Sequence, residues 1–414
     1  MRLLKIIAPL ILVLLMAGCW GKRETDEIAY VLVMGFDKGP GHFSVISFQI
    51  ANPKAIAGLS GGGGGKGVGG GDEPLFIENI VAKLPIGAFN LLNVERSREI
   101  SLLHTTAFIF SEEVARQGVA HYLNPLGRYR ETRGTAFVFV CRGKASEFMK
   151  KNQPVLEVTP SKQYAMLALT NKIHGLTQVT QFTDFYQGSK SVDVNPTAPL
   201  VGISKKEELS KSEIPPHNKL GDYLAGDMPS VEKDPQFIGT AVFRKDRMVG
   251  ELTGDETRYF NMIIGKLNQS FLIIDDPKKK GQSVGMTLRQ ARKPEVKVNL
   301  AGERPEIELR IYQEPEIAGV TSGINYESPE MKKVLEKALA NIIRKRCESL
   351  ITRTQEEFRS DIFGFGRKAK RKFITLEKWK KYNWDEAFPQ ARVDIIVHVK
   401  IRRTGLMLNT RPTQ

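Results

Sequence analysis

The residues able to do acid–base, nucleophilic or metal chemistry in this 414-residue chain are dispersed. Histidines stand singly at 42, 104, 121, 174, 217 and 398, in no spacing with Cys or carboxylates that would hold a metal. His104 at the entrance of an apolar strand and His398 on a strand's polar face read as hydrogen-bonded or solvated side chains. Asp275-Asp276 has the oxygens for a cation, but Lys278-Lys279-Lys280 beside it opposes one. No GxSxG, HExxH, Walker or dinucleotide-binding pattern occurs. Gly65-Lys66 matches the end of a phosphate-binding loop only in part, since Gly67 stands where the metal-binding Ser or Thr is needed. These residues offer no catalytic group, no cofactor and no metal site, and they point to a protein that works by binding.

Three cysteines carry different expectations. Arg2 and Lys5 precede the apolar run Ile6 to Met16, which ends in Ala17-Gly18-Cys19. A basic start, an apolar core of about 7 to 15 residues and a small-residue end make a secretory signal. A spanning helix would need about 20 apolar residues, and Trp20-Gly21-Lys22-Arg23-Glu24 closes this run early. Cys19 sits as in a lipobox, with Met16 in place of the usual Leu. Lipidated, it would be the mature N-terminus and carry at least two acyl chains, which suffices for stable anchoring. Cys141 in an apolar strand and Cys347 on the apolar side of a helix read as buried free thiols in preference to a disulfide.

Charge is unevenly placed. Of the formal +15, a net +12 lies between Met331 and Gln414, where 21 Lys and Arg face 9 Asp and Glu. Its densest part is the run Arg367, Lys368, Lys370, Arg371 and Lys372, near Phe363, Phe365, Trp379 and Trp384. Cations interleaved with aromatics occur in nucleic-acid grooves, but the secretory signal argues against nucleic acid as the partner. Two readings remain: a solvated face, or a patch leaning on anionic headgroups at about 1 kcal/mol per basic residue.

The elements that must position these residues form an α+β pattern. With 41% hydrophobic and 26% charged residues the chain folds, and its length exceeds the roughly 250 to 300 residues of a single core. Ala29 to Phe36 and Phe43 to Ile50 predict a hairpin. Ten glycines in the fourteen positions 58–71 predict a flexible loop. Pro74 to Val94 shows helical spacing at Ile77, Ile80, Val81 and Leu84, interrupted at Pro85. Strands are predicted at 105–110 and 135–141, with helices after Ser111 and at 144–151, closing an N-terminal α+β domain over 19–152. A middle domain over 153–290 holds a helix at 161–172, an exposed loop at 204–234 around Pro215-Pro216, a hairpin at 237–252 and a helix at 256–267. A basic C-terminal domain over 291–414 begins with a hairpin at 296–311. A long helix capped by Ser328 follows, with its apolar stripe running from Met331 to Ile351, and then an alternating strand at 393–401. The expectation is three mixed α/β domains with largely antiparallel sheets, after a signal peptide over 1–18.

Four blocks, in order, carry a resemblance. They are Gly18-Cys19-Trp20 leading into Met34-Gly35-Phe36-Asp37-Lys38; Arg98-Glu99-Ile100-Ser101 with His104, the stretch Ser111 to Gly118, Arg128, Glu131 and Arg133; Gly239 to Phe243 with Met248 to Leu252 and Glu256-Thr257-Arg258; and Asp361 to Gly366, Trp384, Phe388-Pro389 and Ile401 to Gly405. In these the chain resembles the Ger(x)C family of spore germination lipoproteins, the C subunits of nutrient germinant receptors. Gly21, where the family commonly has Asp, and the glycine-rich loop are departures. The resemblance implies three mixed domains and a lipid anchor on Cys19, at the outer face of the inner spore membrane. The implied partners are membrane-spanning A and B subunits, in a receptor that detects amino acids, sugars or nucleosides. A solute-binding lipoprotein of a transporter is the competing reading; it would need two lobes of repeated βα units, against which the hairpins argue.

Overall fold

The computed structural model describes residues 27–52, 75–95, 98–152, 160–204, 221–229, 235–405, 407 and 410. Cys19, the expected signal peptide, the glycine-rich loop and most of the expected loop at 204–234 lie outside the described residues.

Strand β1 (Ile28–Lys38) is apolar on both faces because both are covered. It returns as β2 (Ser44–Ala51), paired antiparallel from Lys38 with Ser44 to Val31 with Ile50, as the hairpin pattern predicts. β3 (Leu75–Ala82) corrects the expected helix from 74: it pairs with β2 along its whole length, and the helix, α1 (Pro85–Glu95), starts only at the proline. Short apolar runs satisfy both periods, and the neighbouring strand decided this one. β4 (Glu99–Ser101) and β5 (Ala107–Ser111) both lie parallel to β1. Ser111 Oγ accepts the Val114 N–H at 3.4 Å to start α2 (Glu112–Gln117), and Gly118 ends that helix at φ 119°.

Helix α3 (Ala120–Arg128), strand β6 (Phe137–Cys141) and helices α4 (Ala145–Lys151), α5 (Pro160–His174) and α6 (Phe182–Lys190) precede β7 (Thr197–Ile203), β8 (Pro235–Arg244) and β9 (Arg247–Leu252). All nine strands form one sheet in the order β3-β2-β1-β5-β6-β7-β8-β9, with β4 against β1. Its centre from β1 to β7 is parallel and its flanks are antiparallel. One face packs a core containing Phe36, Phe48, Phe108 and Phe243, and the other packs Phe139, Phe148 and Tyr164. Asp37, at the end of β1, accepts the Ala145 and Ser146 N–H groups at 2.7 and 2.9 Å and so fixes the start of α4.

The rest of the chain is α7 (Gly254–Ile263), β10 (Gln269–Asp275), β11 (Ser283–Arg289), β12 (Glu295–Asn299), β13 (Glu306–Gln313), β14 (Glu316–Val320), α8 (Pro329–Glu356), α9 (Phe365–Lys370), α10 (Leu376–Tyr382), α11 (Trp384–Ala387) and β15 (Arg392–Val399). It carries two three-stranded sheets, β10-β11-β14 and β12-β13-β15. Antiparallel pairings outnumber parallel ones over the whole described chain, in keeping with the expected class. The stripe of α8, with Leu335, Leu339, Ile343 and Cys347 fully buried, packs on β15 and α7. Ser328 caps it, and near its far end the Arg353 guanidinium donates to both oxygens of Glu256 at 2.7 Å.

The sheets do not follow the expected divides. β6 and β7 pair across 152, and β11 and β14 pair across 290. Loops and helices mark where a strand ends, but which strand it joins is a long-range choice that composition does not record.

Candidate anion-contact surface

The basic run is held in place by a buried carboxylate. Asp361, 2% exposed, accepts the N–H groups of Phe363, Gly364, Phe365 and Gly366 at 3.0, 2.9, 3.3 and 2.7 Å, and the Trp384 Nε1–H at 2.9 Å. Burial pushes its carboxyl above the ordinary value, while the Gly366, Trp384, Phe365 and Gly364 donors pull the other way. Gly364, at φ 78°, supplies the left-handed turn that folds the chain around this group. Gly366 is the closest approach: a Cβ there would collide with the Asp193 carbonyl and lie 2.6 Å from Trp384 Nε1.

Asp193, from the loop after α6, is the second anchor. It accepts Trp379 Nε1–H at 2.8 Å and Lys370 Nζ at 2.9 Å. Trp379 and Trp384 are 1% and 3% exposed with centroids 5.8 Å apart. Both indoles therefore belong to the core and offer no face for stacking on a base.

The structure sorts the five basic residues. Lys370 is engaged by Asp193. Arg367, Lys368, Arg371 and Lys372 are exposed and have no carboxylate in ion-pair reach among the described residues. Arg367, Lys368 and Arg371 line a cleft of about 390 Å³. Lys372 stands next to an apolar tip, where Ile374 is 92% and Leu376 51% exposed, with Lys378, Lys380 and Lys381 exposed beyond.

Elsewhere, polar groups that could do chemistry are engaged in structure. Asp276 accepts Ser322 Oγ–H and Tyr326 O–H at 2.6 Å and the Lys278 and Lys279 amides. Its four donors outweigh burial and hold the carboxyl below its ordinary value. His104 lies edge-on to Tyr30 at 4.6 Å, and His398 stacks on Tyr312 at 5.0 Å. Arg258, 4% exposed, pairs with buried Asp255 at 2.6 Å and donates to Ser270 Oγ at 2.8 Å. Cys141 and Cys347 are buried free thiols, both pushed up by burial. Among the described residues no three His, Cys, Asp or Glu gather to hold a metal. Nor is any helix among them long and apolar enough to cross a membrane.

Sequence reasoning missed Asp193, the cleft, and Lys266 on its wall. For Asp361 a signal existed: Asp followed by glycines three and five positions on, a composition in which amides can turn back onto the side chain.

A solved structure shares this architecture: the crystal structure of the GerBC protein superposes with a TM-score of 0.53 over 89% of this chain and 96% of that one, at 12% identity. The fold is therefore that of a known class of mixed α/β proteins. Residues 21–203 match the family described as spore germination protein N-terminal domain, and residues 238–405 the family described as spore germination B3/GerAC like, C-terminal. The chain belongs to the Ger(x)C family of spore germination proteins. Spore germination protein KC of Bacillus subtilis (strain 168) is 27% identical over 416 residues, 97% of this chain and 96% of that one. Spore germination protein YndF of the same organism is 20% identical over 95% of each.

Proposed function

We propose that this chain is the C subunit of a nutrient germinant receptor. It is anchored through a diacylglyceryl group on Cys19 at the outer face of the inner spore membrane and acts with membrane-spanning A and B subunits. Its role is to bind or couple, not to catalyse. The observation that carries the reading is the end-to-end match to a spore germination protein, with 97% of this chain aligned to 96% of that one. Affinity capture of the native protein from spore membranes tests it. Co-purification of receptor A and B subunits is the expected result, and recovery of an importer permease instead would transfer the chain to solute uptake. Cys19→Ala should abolish lipidation and membrane retention; full retention in that variant would refute the anchor.

Arg367, Lys368, Arg371 and Lys372 lean on anionic headgroups beside the apolar tip at Ile374. The support is their lack of carboxylate partners and the exposure of Ile374 among cations. An isoleucine left 92% exposed two positions from exposed Lys372 suits the boundary between headgroups and acyl chains. Unlipidated protein should bind phosphatidylglycerol vesicles at low salt, and Ile374→Ser with Lys372→Ala should weaken that binding. Absence of vesicle binding by the wild type would remove this contact.

A further inference from the structure

The cleft beside the basic run has the makings of a ligand site of its own. Its cationic wall is Arg367, Lys368 and Arg371 from around α9, joined by Lys266, exposed after α7. None of the four has an ion-pair partner among the described residues, whereas neighbouring Lys370 does. Among the described residues Asp184 is the only carboxylate lining it, so the balance is strongly positive.

The floor is built from polar groups that bond to one another. Gln178 Nε2 donates to Thr180 Oγ1 at 2.9 Å, Thr180 donates to the Thr197 carbonyl at 2.9 Å, and Thr197 Oγ1 donates to Gln178 Oε1 at 3.0 Å. This closed ring of buried polar side chains fixes the floor. Asn195, 5% exposed, uses its oxygen to accept the Lys245 N–H at 2.8 Å, and its NH₂ has no protein acceptor among the described residues. An unengaged donor thus sits in the cleft that the four cations line. Phe260 and Phe363, with centroids 6.0 Å apart, supply an apolar side.

Volume, charge and lining agree on a ligand class. A space of about 390 Å³ falls within the roughly 300–1,000 Å³ of small-molecule sites. Guanidinium forks match oxyanion geometry, and lysines add point charge. The cleft also lies between the two family segments, its floor at 178–197 in the first and its cations at 266–371 in the second.

We infer that this cleft binds a phosphate oxyanion carried on a small apolar body, either a free phosphate ester or a phospholipid headgroup. The inference does not depend on the receptor assignment or on the anchor at Cys19. The phosphate lies among Arg367, Arg371, Lys368 and Lys266 with Asn195 donating from the floor, and the apolar part rests against Phe260 and Phe363.

Calorimetric titration of the full-length chain carrying Cys19→Ala, with phenyl phosphate and with glycerol 3-phosphate at low salt, tests this. Wild-type residues in the cleft should give saturable binding, tighter for the phenyl ester. Arg367→Ala with Arg371→Ala should weaken it at least about tenfold. Lys378→Ala with Lys380→Ala, equally cationic but outside the cleft, should leave it within about twofold. Phosphatidylglycerol vesicles separate the sources. If they compete with phenyl phosphate, the natural occupant is a headgroup; if phenyl phosphate binds and vesicles do not displace it, the occupant is a free ester. Two outcomes overturn the inference: no titratable binding up to about 10 mM, or equal weakening by both double variants, which would reduce the effect to diffuse surface charge.

Discussion

Asp361 and Arg371 lie ten positions apart in sequence and handle charge in opposite ways. The carboxylate is buried and accepts five hydrogen bonds, so it organises the loop into α9. The cations that α9 then presents are exposed and have no carboxylate partner among the described residues, apart from Lys370. A protein gains stability by satisfying buried charge, and it gains little from leaving cations free in water. The difference assigns the first region to the fold and the second to whatever the fold presents them to.

The sharpest way to break that contrast is Asp361→Ala. It strands four backbone N–H groups and an indole N–H in a buried loop, and should cost about 3 to 5 kcal/mol in urea unfolding. A loss under about 1 kcal/mol would mean that the loop is not held by its carboxylate. Gly366→Ala attacks the same loop sterically. The added methyl meets the Asp193 carbonyl and the Trp384 ring, and about 1 to 3 kcal/mol should be lost.

Lys370→Ala probes the boundary between the regions. Its ion pair with Asp193 is partly exposed, so about 0.5 to 1 kcal/mol is expected by the same titration. Smallest should be Arg367→Ala with Arg371→Ala, within about 0.5 kcal/mol of the parent, with loss confined to binding. A large loss of stability in that double variant would dissolve the distinction.

Acid titration offers an independent reference away from the loop. Burial and then the nearby Arg258 charge hold His174 below its ordinary value, and its Nδ1 accepts the Leu176 N–H at 3.0 Å. The unfolded chain therefore takes up this proton first. The stability linked to the neutral ring is present above about pH 6.5 and is lost as pH falls from there toward the folded value. In His174→Gln, urea midpoints measured from pH 7.5 to 5 should decline less than in the parent. Parallel decline would place the acid sensitivity elsewhere.

Much of the local structure was legible in sequence. The hairpin at β1 and β2, the cap at Ser328 and the stripe of α8 rest on periodicity and turn chemistry, which act between near neighbours. β3 was read as helix because its strand character comes from β2. β10, β11 and β14 went unnoticed because two short sheets interleave there, β12 and β13 being inserted between strands of the other sheet. Density of charge singled out the basic run as a whole. It could not tell Lys370, which meets Asp193 from 177 positions away, from Arg371, which meets no carboxylate among the described residues. Lys266 contributes to the cleft from a hundred positions upstream, so no local window would join them.

The large sheet has a consequence for the order in which this molecule can be made. β7 belongs to the first family segment, yet its antiparallel neighbour β8 straddles the start of the second, and β9, which pairs with β8, lies wholly within it. A nascent chain that has emerged only as far as Ile203 presents the outer side of β7 as a bare edge, a template for pairing with any passing strand. That edge is covered once β8 has been made, and the sheet is complete when Leu252 has been synthesised. The two segments are thus tied by folding sequence as much as by descent, and an exchange of halves between relatives should be cut after β9, not at the boundary between them.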